Sequence, residues 1–337
     1  MSRLAFPVPD RMRSVTLSEF RGTPAVAAMP VPQPGAGQVL VRMAAAPINP
    51  SDLAFIKGGY GNPKDFPLIP GFEGSGTVVA AGSGLFPRYL VGKRVACATN
   101  AAFGGTWSEY VLTSASSCVP LPRGLSFEQG ATGIVNPMTA LAFFEIAKQE
   151  KHGAIVNTAA AGALGRMILK LGLRQKIPVI HIVRRAEQVD LIRSLRGQHV
   201  LNSTDPDFED RFHILTKRWK ATLLLDAVGG ELTGQMIKAS PVGSNLVSYG
   251  FLSAEPPKID TRLLAKEDKR VTGFYLPNWL KRQHPLTNLR FIRKVRKLLA
   301  SDLSSTVHKS FPFTEISQAF DALKEPATAG KVLLTMR

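Results

Sequence analysis

The sequence predicts an α/β chain in two parts: a partly open β-barrel, then a doubly wound parallel sheet with helices on both faces. Three observations carry this. Up to about Pro122 short apolar and β-branched runs are cut by glycine and proline, as in a barrel. Beyond Ser126 apolar strands alternate with segments of helical periodicity, the order of a parallel sheet. Between them, Ala154–Gly165 (AIVNTAAAGALG) joins a strand to a helix through a turn made of residues with little or no side chain. At 337 residues the chain is long enough for two substantial cores.

Taken in order, residues 15–43 read as short strands separated by turns, with the run from Pro30 to Gly37 as the clearest breaker, and Gln38–Met43 as a strand. Pro47 and Pro50 hold the following backbone extended, after which Ser51 or Asp52 can cap a short helix. Lys57–Gly61 is a glycine-rich loop carrying the hydroxyl of Tyr60. Pro70–Gly82 alternates glycine with small and β-branched residues, which suits bent, tightly packed strands, and 91–96 and 105–111 continue the β pattern. The pattern changes at Ser126–Gly130. A helix is expected over Thr139–Lys148, then strands at 154–157, 178–183, 199–202, 222–230, 245–250 and 269–275. A helix over 285–301 spaces Leu286, Leu289, Ile292, Val295 and Leu299 as a buried stripe, opposite Arg290, Arg293, Lys294, Arg296 and Lys297. That basic face reads either as solvated surface or as a docking face. The end returns to β character, and the strand at 330–334 is expected to rejoin the barrel, which makes the first domain discontinuous.

The turn at Ala159-x-x-Gly162-x-x-Gly165 suits a dinucleotide phosphate. Small residues let the backbone approach the pyrophosphate, and the helix amino terminus offers unpaired N–H groups and the positive end of its dipole. It lacks the full triple-glycine form, and a strand–turn–helix junction without a ligand has a similar pattern. About twenty residues further on, the end of the second strand reads the adenine ribose in this fold. An acid there favours the unphosphorylated cofactor; here Arg184 and Arg185 follow Ile182-Val183. Charge-assisted bonds from two guanidinium groups to a 2′-phosphate, at roughly 1.5–3 kcal/mol each, predict a preference for NADPH over NADH of about tens to hundreds of fold. Solvated arginines at a helix start are the alternative, but the helix dipole disfavours cations there.

Composition bounds the rest. No run approaches the eighteen or so apolar residues of a membrane span, and residues 1–10 have no apolar signal core, so a soluble cytoplasmic protein is expected. Cys97 and Cys118 fit neither a zinc knuckle nor a redox pair, and no histidine has ligand spacing. The net charge of +17 attracts polyanions through its long-range field, or reflects only a solvated basic surface. No RNA-binding motif is visible, and aromatics are not interleaved with the basic residues as a stacking platform requires.

Six runs in order, Asn49-Pro50-Ser51-Asp52, Gly71-Phe72-Glu73-Gly74-Ser75-Gly76, Asn136-Pro137-Met138-Thr139-Ala140, the Ala159–Gly165 turn, Asp226-Ala227-Val228-Gly229 and Gly330-Lys331-Val332, resemble the medium-chain dehydrogenase/reductase superfamily over essentially the whole chain. The resemblance implies a GroES-like partly open β-barrel catalytic domain, residues 1–122 and 301–337, and a Rossmann NADPH-binding domain, residues 123–300. Zinc-dependent alcohol dehydrogenases of that superfamily carry a cysteine where this chain has Asn49, a histidine where it has Phe72, and a four-cysteine lobe absent here. Glu73 alone cannot hold a catalytic zinc, which takes three protein ligands. The resemblance therefore falls to the zinc-free branch, the quinone oxidoreductases and 2-enoyl thioester reductases, and no metal is expected.

The Asn-Pro-x-Thr-Ala run and Val183-Arg184 are more similar to the enoyl thioester reductases. That similarity implies Tyr60 as a proton donor, Asn49 near the nicotinamide and the substrate carbonyl, and Thr139, Ala159, Gly162, Ala163, Leu164, Gly165, Arg184 and Arg185 at the cofactor. Tyr60 as a plain pocket wall is the competing reading. Trp279 is expected to pack, and Glu73 to be a buried structural acid. The expected reaction is hydride transfer from NADPH to an activated C=C bond, favouring a 2-enoyl thioester of coenzyme A or an acyl carrier protein. Quinone or alkenal reduction is the near alternative, and RNA binding on a reductase fold the distant one. The family also implies a homodimer through an edge strand near Val247-Ser248-Tyr249.

Overall fold

The structure is a computed structural model that describes residues 3–4, 6–59, 65–99, 104–253, 255–325 and 328–336. It divides into two compact units, Met1–Pro137 with Arg290–Arg337, and Met138–Leu289. The divisions fall at Pro137 and Arg290 rather than at Pro122 and Ser301, because the segment after the barrel packs onto it. Ser75 donates to the Phe127 carbonyl at 2.6 Å, the Arg94 guanidinium lies 4.5 Å from the centre of the Phe127 ring, and Gly133 sits against Leu299.

The first unit opens with strands β1 (Arg3–Leu4), β2 (Arg11–Thr16), β3 (Ala25–Pro30), β4 (Gln38–Pro47), β5 (Glu73–Ala81), β6 (Arg94–Ala98), β7 (Tyr110–Ser114) and β8 (Cys118–Pro120). Strands β2 and β3 form a hairpin. The long β4 is the hub, antiparallel to β5 on one side and to β7 in its amino-terminal half, with register shifts after Leu40 and Met43 that bend it. Its inward residues Val39, Val41 and Met43 meet Val78, Val95, Cys97 and Trp107 in the barrel core. Cys97 and Cys118 face each other across β6 and β8 as free, buried thiols, and burial pushes Cys118 up to about 12.

The second unit is a parallel sheet of β9 (Ile155–Asn157), β10 (Val179–Val183), β11 (His199–Asn202), β12 (Leu223–Asp226), β13 (Asn245–Ser248) and β14 (Arg270–Gly273) in the order β11-β10-β9-β12-β13-β14. On one face Val156, Ile180, Ile182 and Leu224 pack against Phe208, Phe212 and Met236; on the other Val183 and Val200 pack against Leu169 and Ile192. Both faces are thus covered by helices, as parallel strands with near-continuous apolar runs require. The strand order reverses between β9 and β12, which opens a crevice at their carboxyl ends.

Three expectations are corrected. On this side of the sheet the edge strand is β14, exposed along its length, and Val247-Ser248-Tyr249 lies inside it because β13 pairs with both β12 and β14. The helix expected from Thr139 runs over Val135–Gln149: Pro137 falls in its first turn, where a missing N–H costs nothing. The helix Pro285–Leu298 buries Phe291, Val295 and Leu298, while Leu286 and Leu289, expected in the buried stripe, are exposed.

The chain then returns to the first unit with β15 (Val307–Pro312) and β16 (Lys331–Thr335). Strand β16 pairs antiparallel with the carboxyl-terminal half of β4, Leu333 opposite Pro47. The last strand therefore completes the barrel beside Asn49.

Candidate active site

In the second unit, β9 leads through Thr158–Gly162 into the helix Ala163–Gln175. Ala159 adopts a left-handed φ of 47°, a conformation costly for a residue with a Cβ and held here by the surrounding turn. Gly162 is the N-cap, with extended backbone and no capping side chain, so the amides of Ala163, Leu164 and Gly165 form the open first turn. Gly165 is fixed by packing: a Cβ there would lie 2.4 Å from the Ala160 carbonyl oxygen. This is a cradle for an anion, close to backbone and at the positive end of a helix.

A buried carboxylate holds the neighbouring loop. Asp226, ending β12, accepts from Thr233 Oγ1 at 2.6 Å, from Thr158 Oγ1 at 3.2 Å and from the Val228 amide at 2.9 Å, while Thr158 Oγ1 also accepts from the Ala227 amide at 2.8 Å. Thr158 and Asp226 thus tie the exits of β9 and β12 together beneath the crevice. Sequence reasoning took Asp226 only as a family run and did not name Thr158 or Thr233; an acid ending an apolar strand was the available signal. A cleft of about 250 Å³ at the carboxyl ends of β12 and β13 is lined by Val228, Gly229, Ser248 and Phe251 among others.

Arg184 and Arg185 leave the end of β10, the parallel neighbour of β9, so both stand at the same sheet end as the turn. Both are exposed. Arg185 is the N-cap of the helix Ala186–Ser194 with its guanidinium 3.4 Å from Glu187, and the Arg184 amide donates to Gln188 at 3.1 Å. Thr139 is buried on the helix Val135–Gln149. Trp279 packs 6.3 Å from Phe274, which with Phe143 and Tyr249 forms an aromatic cluster.

In the first unit the site is built around Asn49, 3% exposed at the start of the helix Pro50–Ile56. Its Nδ2 donates to Glu73 Oε1 at 3.0 Å, and its Oδ1 accepts from the Lys331 ammonium. The other Glu73 oxygen accepts from the Ile134 and Val135 amides at 3.0 and 2.9 Å, capping the helix Val135–Gln149 with a buried carboxylate. Asp52 accepts from the Asn49 amide at 2.7 Å and from the Phe72 amide at 3.1 Å. Gly71, at φ +99°, lets this segment pass Trp107 and Thr106, where a Cβ would come within 2.5 Å of both.

Burial governs the charges. It pushes Asp52 up to about 7, against its two backbone hydrogen bonds, and raises Glu73 against the pull of Lys331. Lys331 is lowered by the same burial and held up by Glu73 and Asp52. Lys331 and Asp52 were missed as site residues; a lysine flanked by glycine and an apolar strand was the signal for the first. Tyr60 lies outside the described residues.

The donor set does not fit a catalytic zinc. Asn49 spends its carboxamide on Lys331 and Glu73, Phe72 offers only hydrocarbon, and a buried ammonium stands among them. The turn, the open helix start and the arginine pair, all at one end of the sheet, do fit a dinucleotide.

Comparison with known proteins agrees with this architecture. Residues 35–123 match the alcohol dehydrogenase GroES-like domain, and residues 195–334 match the zinc-binding dehydrogenase family. The crystal structure of a candidate NADPH:quinone reductase from Mesorhizobium loti is 35% identical, covers 98% of this chain and 100% of its own, and has a TM-score of 0.89. The quinone oxidoreductase of Thermus thermophilus, also solved with NADPH, is 25% identical with a TM-score of 0.77, covering 96% of this chain and 100% of its own. The human mitochondrial enoyl-[acyl-carrier-protein] reductase is 28% identical over 310 residues, 88% of this chain and 81% of that protein. The chain belongs to the medium-chain dehydrogenase/reductase superfamily, in the branch of quinone oxidoreductases and 2-enoyl thioester reductases. It is an oxidoreductase with a GroES-like sheet domain and a Rossmann-like parallel-sheet domain.

Proposed function

We propose that the protein is a metal-independent, NADPH-dependent reductase of carbon–carbon double bonds conjugated to a carbonyl, with 2-enoyl thioesters as substrates. The observation that supports this reading is the Asn49–Glu73–Lys331 set, in which Asn49, at the position where the resemblance puts a cysteine in the zinc enzymes, has its carboxamide bonded to a carboxylate and an ammonium. Without a metal to polarise an alcohol or aldehyde, the hydride acceptor is one activated by its own conjugation. The similarity to enoyl-[acyl-carrier-protein] reductases supports thioesters as that class.

NADPH, when bound, supplies the hydride. The first-turn amides at Ala163–Gly165 would hold its pyrophosphate, Arg184 and Arg185 its 2′-phosphate, and Thr139 would lie near it. Hydride reaching the β carbon moves the double-bond electrons into an enolate. The second N–H of Asn49 is the donor for the enolate oxygen, its first being fixed on Glu73. The Tyr60 phenol gives its proton to the α carbon and regains one from water. A homodimer would form by pairing across the exposed edge strand β14.

The likeness to the Mesorhizobium loti structure favours a second reading, quinone reduction. NADPH oxidation measured with crotonyl-CoA, a 2-alkenal and a quinone separates them. Turnover of crotonyl-CoA above the others is expected; quinone turnover alone establishes the second reading. Tyr60→Phe is expected to reduce crotonyl-CoA turnover strongly, and unchanged turnover removes its role as proton donor.

A further inference from the structure

We propose that the outer face of the helix Pro285–Leu298 is a docking surface for an acidic acyl carrier protein that delivers the thioester. The inference rests on the thioester reading above. Residues 269–301 contain nine lysines and arginines and no aspartate or glutamate. Arg270 pairs with Glu150 and Lys269 with Glu267, but among the described residues no ion pair engages Arg290, Arg293, Arg296 or Lys297.

At 100° per residue the buried Phe291, Val295 and Leu298 share one side of the helix, and Arg290, Arg293, Arg296 and Lys297 the other. Leu286 and Leu289, 58% and 41% exposed, fall within the same outer arc as the cations. The face is therefore apolar and cationic together, over about 16 Å from Leu286 to Lys297.

Its composition selects the occupant. The phosphates of free coenzyme A would use the cations but not the leucines. Single-stranded nucleic acid would use the cations and seek aromatic rings to stack on, and this arc has none; a duplex would use the cations but not the leucines. An acidic protein helix with apolar residues between its carboxylates matches both, and opposed charges speed its encounter while the leucines hold it. Some of the +17 charge, which neither the barrel site nor the nucleotide turn uses, is then a recognition device.

The test compares the same enoyl group on coenzyme A and on an acyl carrier protein, in wild type and in Arg290→Glu/Arg293→Glu/Lys297→Glu, with carrier binding followed separately by calorimetry. All three positions are exposed, and circular dichroism checks the fold. In wild type, carrier binding should weaken steeply with salt. In the variant, KM for the carrier substrate should rise by about tenfold or more at low salt while crotonyl-CoA kinetics stay within about twofold. Crotonyl-CoA reduction without carrier binding, or carrier binding indifferent to the three reversals, overturns the docking surface and leaves the thioester reading standing. Binding of duplex RNA as tight as that of the carrier, lost in the same variant, also overturns it. Carrier binding that the reversals abolish, without reduction of either thioester, supports the surface and overturns the thioester reading.

Discussion

The ammonium of Lys331 donates to the carboxamide oxygen of Asn49, 282 positions earlier in the chain. The bond fixes which way the amide points, since only the oxygen can face an ammonium and only the nitrogen can face Glu73. One cation and two carboxylates, Glu73 and Asp52, share this buried region. Removing the cation leaves uncompensated buried charge, which costs more than the lost hydrogen bond. Lys331→Met should destabilise the protein by about 3–5 kcal/mol in urea unfolding at neutral pH. Adding Glu73→Gln should recover part of that loss; no recovery would show that the charges are not coupled.

Asp52 gives a pH signature. It holds its proton up to about 7 in the folded chain against an ordinary 3.8, so between those values the folded state binds more protons than the unfolded one. Its contribution to stability is present at low pH and is lost as pH rises from about 4 to about 7. Asp52→Asn should flatten that slope in thermal melts recorded across the window.

His181 acts in the opposite direction. It is 2% exposed on β10, its Nδ1 has no partner, and burial, with the nearby His199, pushes it down to about 4. The folded state binds fewer protons between about 4 and 6.5, so stability is lost as pH falls through that range. His181→Leu should abolish this loss in the same melts.

Arg184→Ala/Arg185→Ala should raise KM for NADPH by about ten- to a hundredfold, less than two fully formed charge-assisted bonds would give because both side chains are exposed, and leave KM for NADH within a few-fold. Equal changes for the two cofactors would remove the pair from 2′-phosphate recognition.

The glycines of the turn are not equivalent. A methyl at Gly165 meets the Ala160 carbonyl at 2.4 Å, whereas at Gly162 it meets only the Ala159 carbonyl at 3.2 Å. Gly165→Ala should cost about 1–3 kcal/mol and weaken NADPH binding, and Gly162→Ala should do less of both. Thermal melts and cofactor fluorescence titration rank them.

Local periodicity made the architecture legible. Apolar runs such as 179–183 and 223–226 are buried on both faces and so read continuously in the sequence. The nucleotide turn was legible because its residues are contiguous. The barrel site was legible only in part: Asn49 and Glu73 lie in short family runs, but Lys331 and Asp52 meet them through folding, and no spacing announces a contact across 282 positions. The stripe on the helix Pro285–Leu298 was misread because periodicity alone does not say which of two apolar arcs, Leu286–Leu289 or Phe291–Val295–Leu298, turns inward.

The position of β16 has a consequence for biosynthesis. Asp52 and Glu73 leave the ribosome early, and the cation that offsets their buried charge follows only after the whole of the second unit. Until Lys331 emerges, the barrel lacks the cation that offsets Glu73 and Asp52 and the donor that orients Asn49, while every strand of the Rossmann-like sheet has already been made. The amino-terminal domain is thus begun first and closed last, and its native state waits on a strand translated after its neighbour.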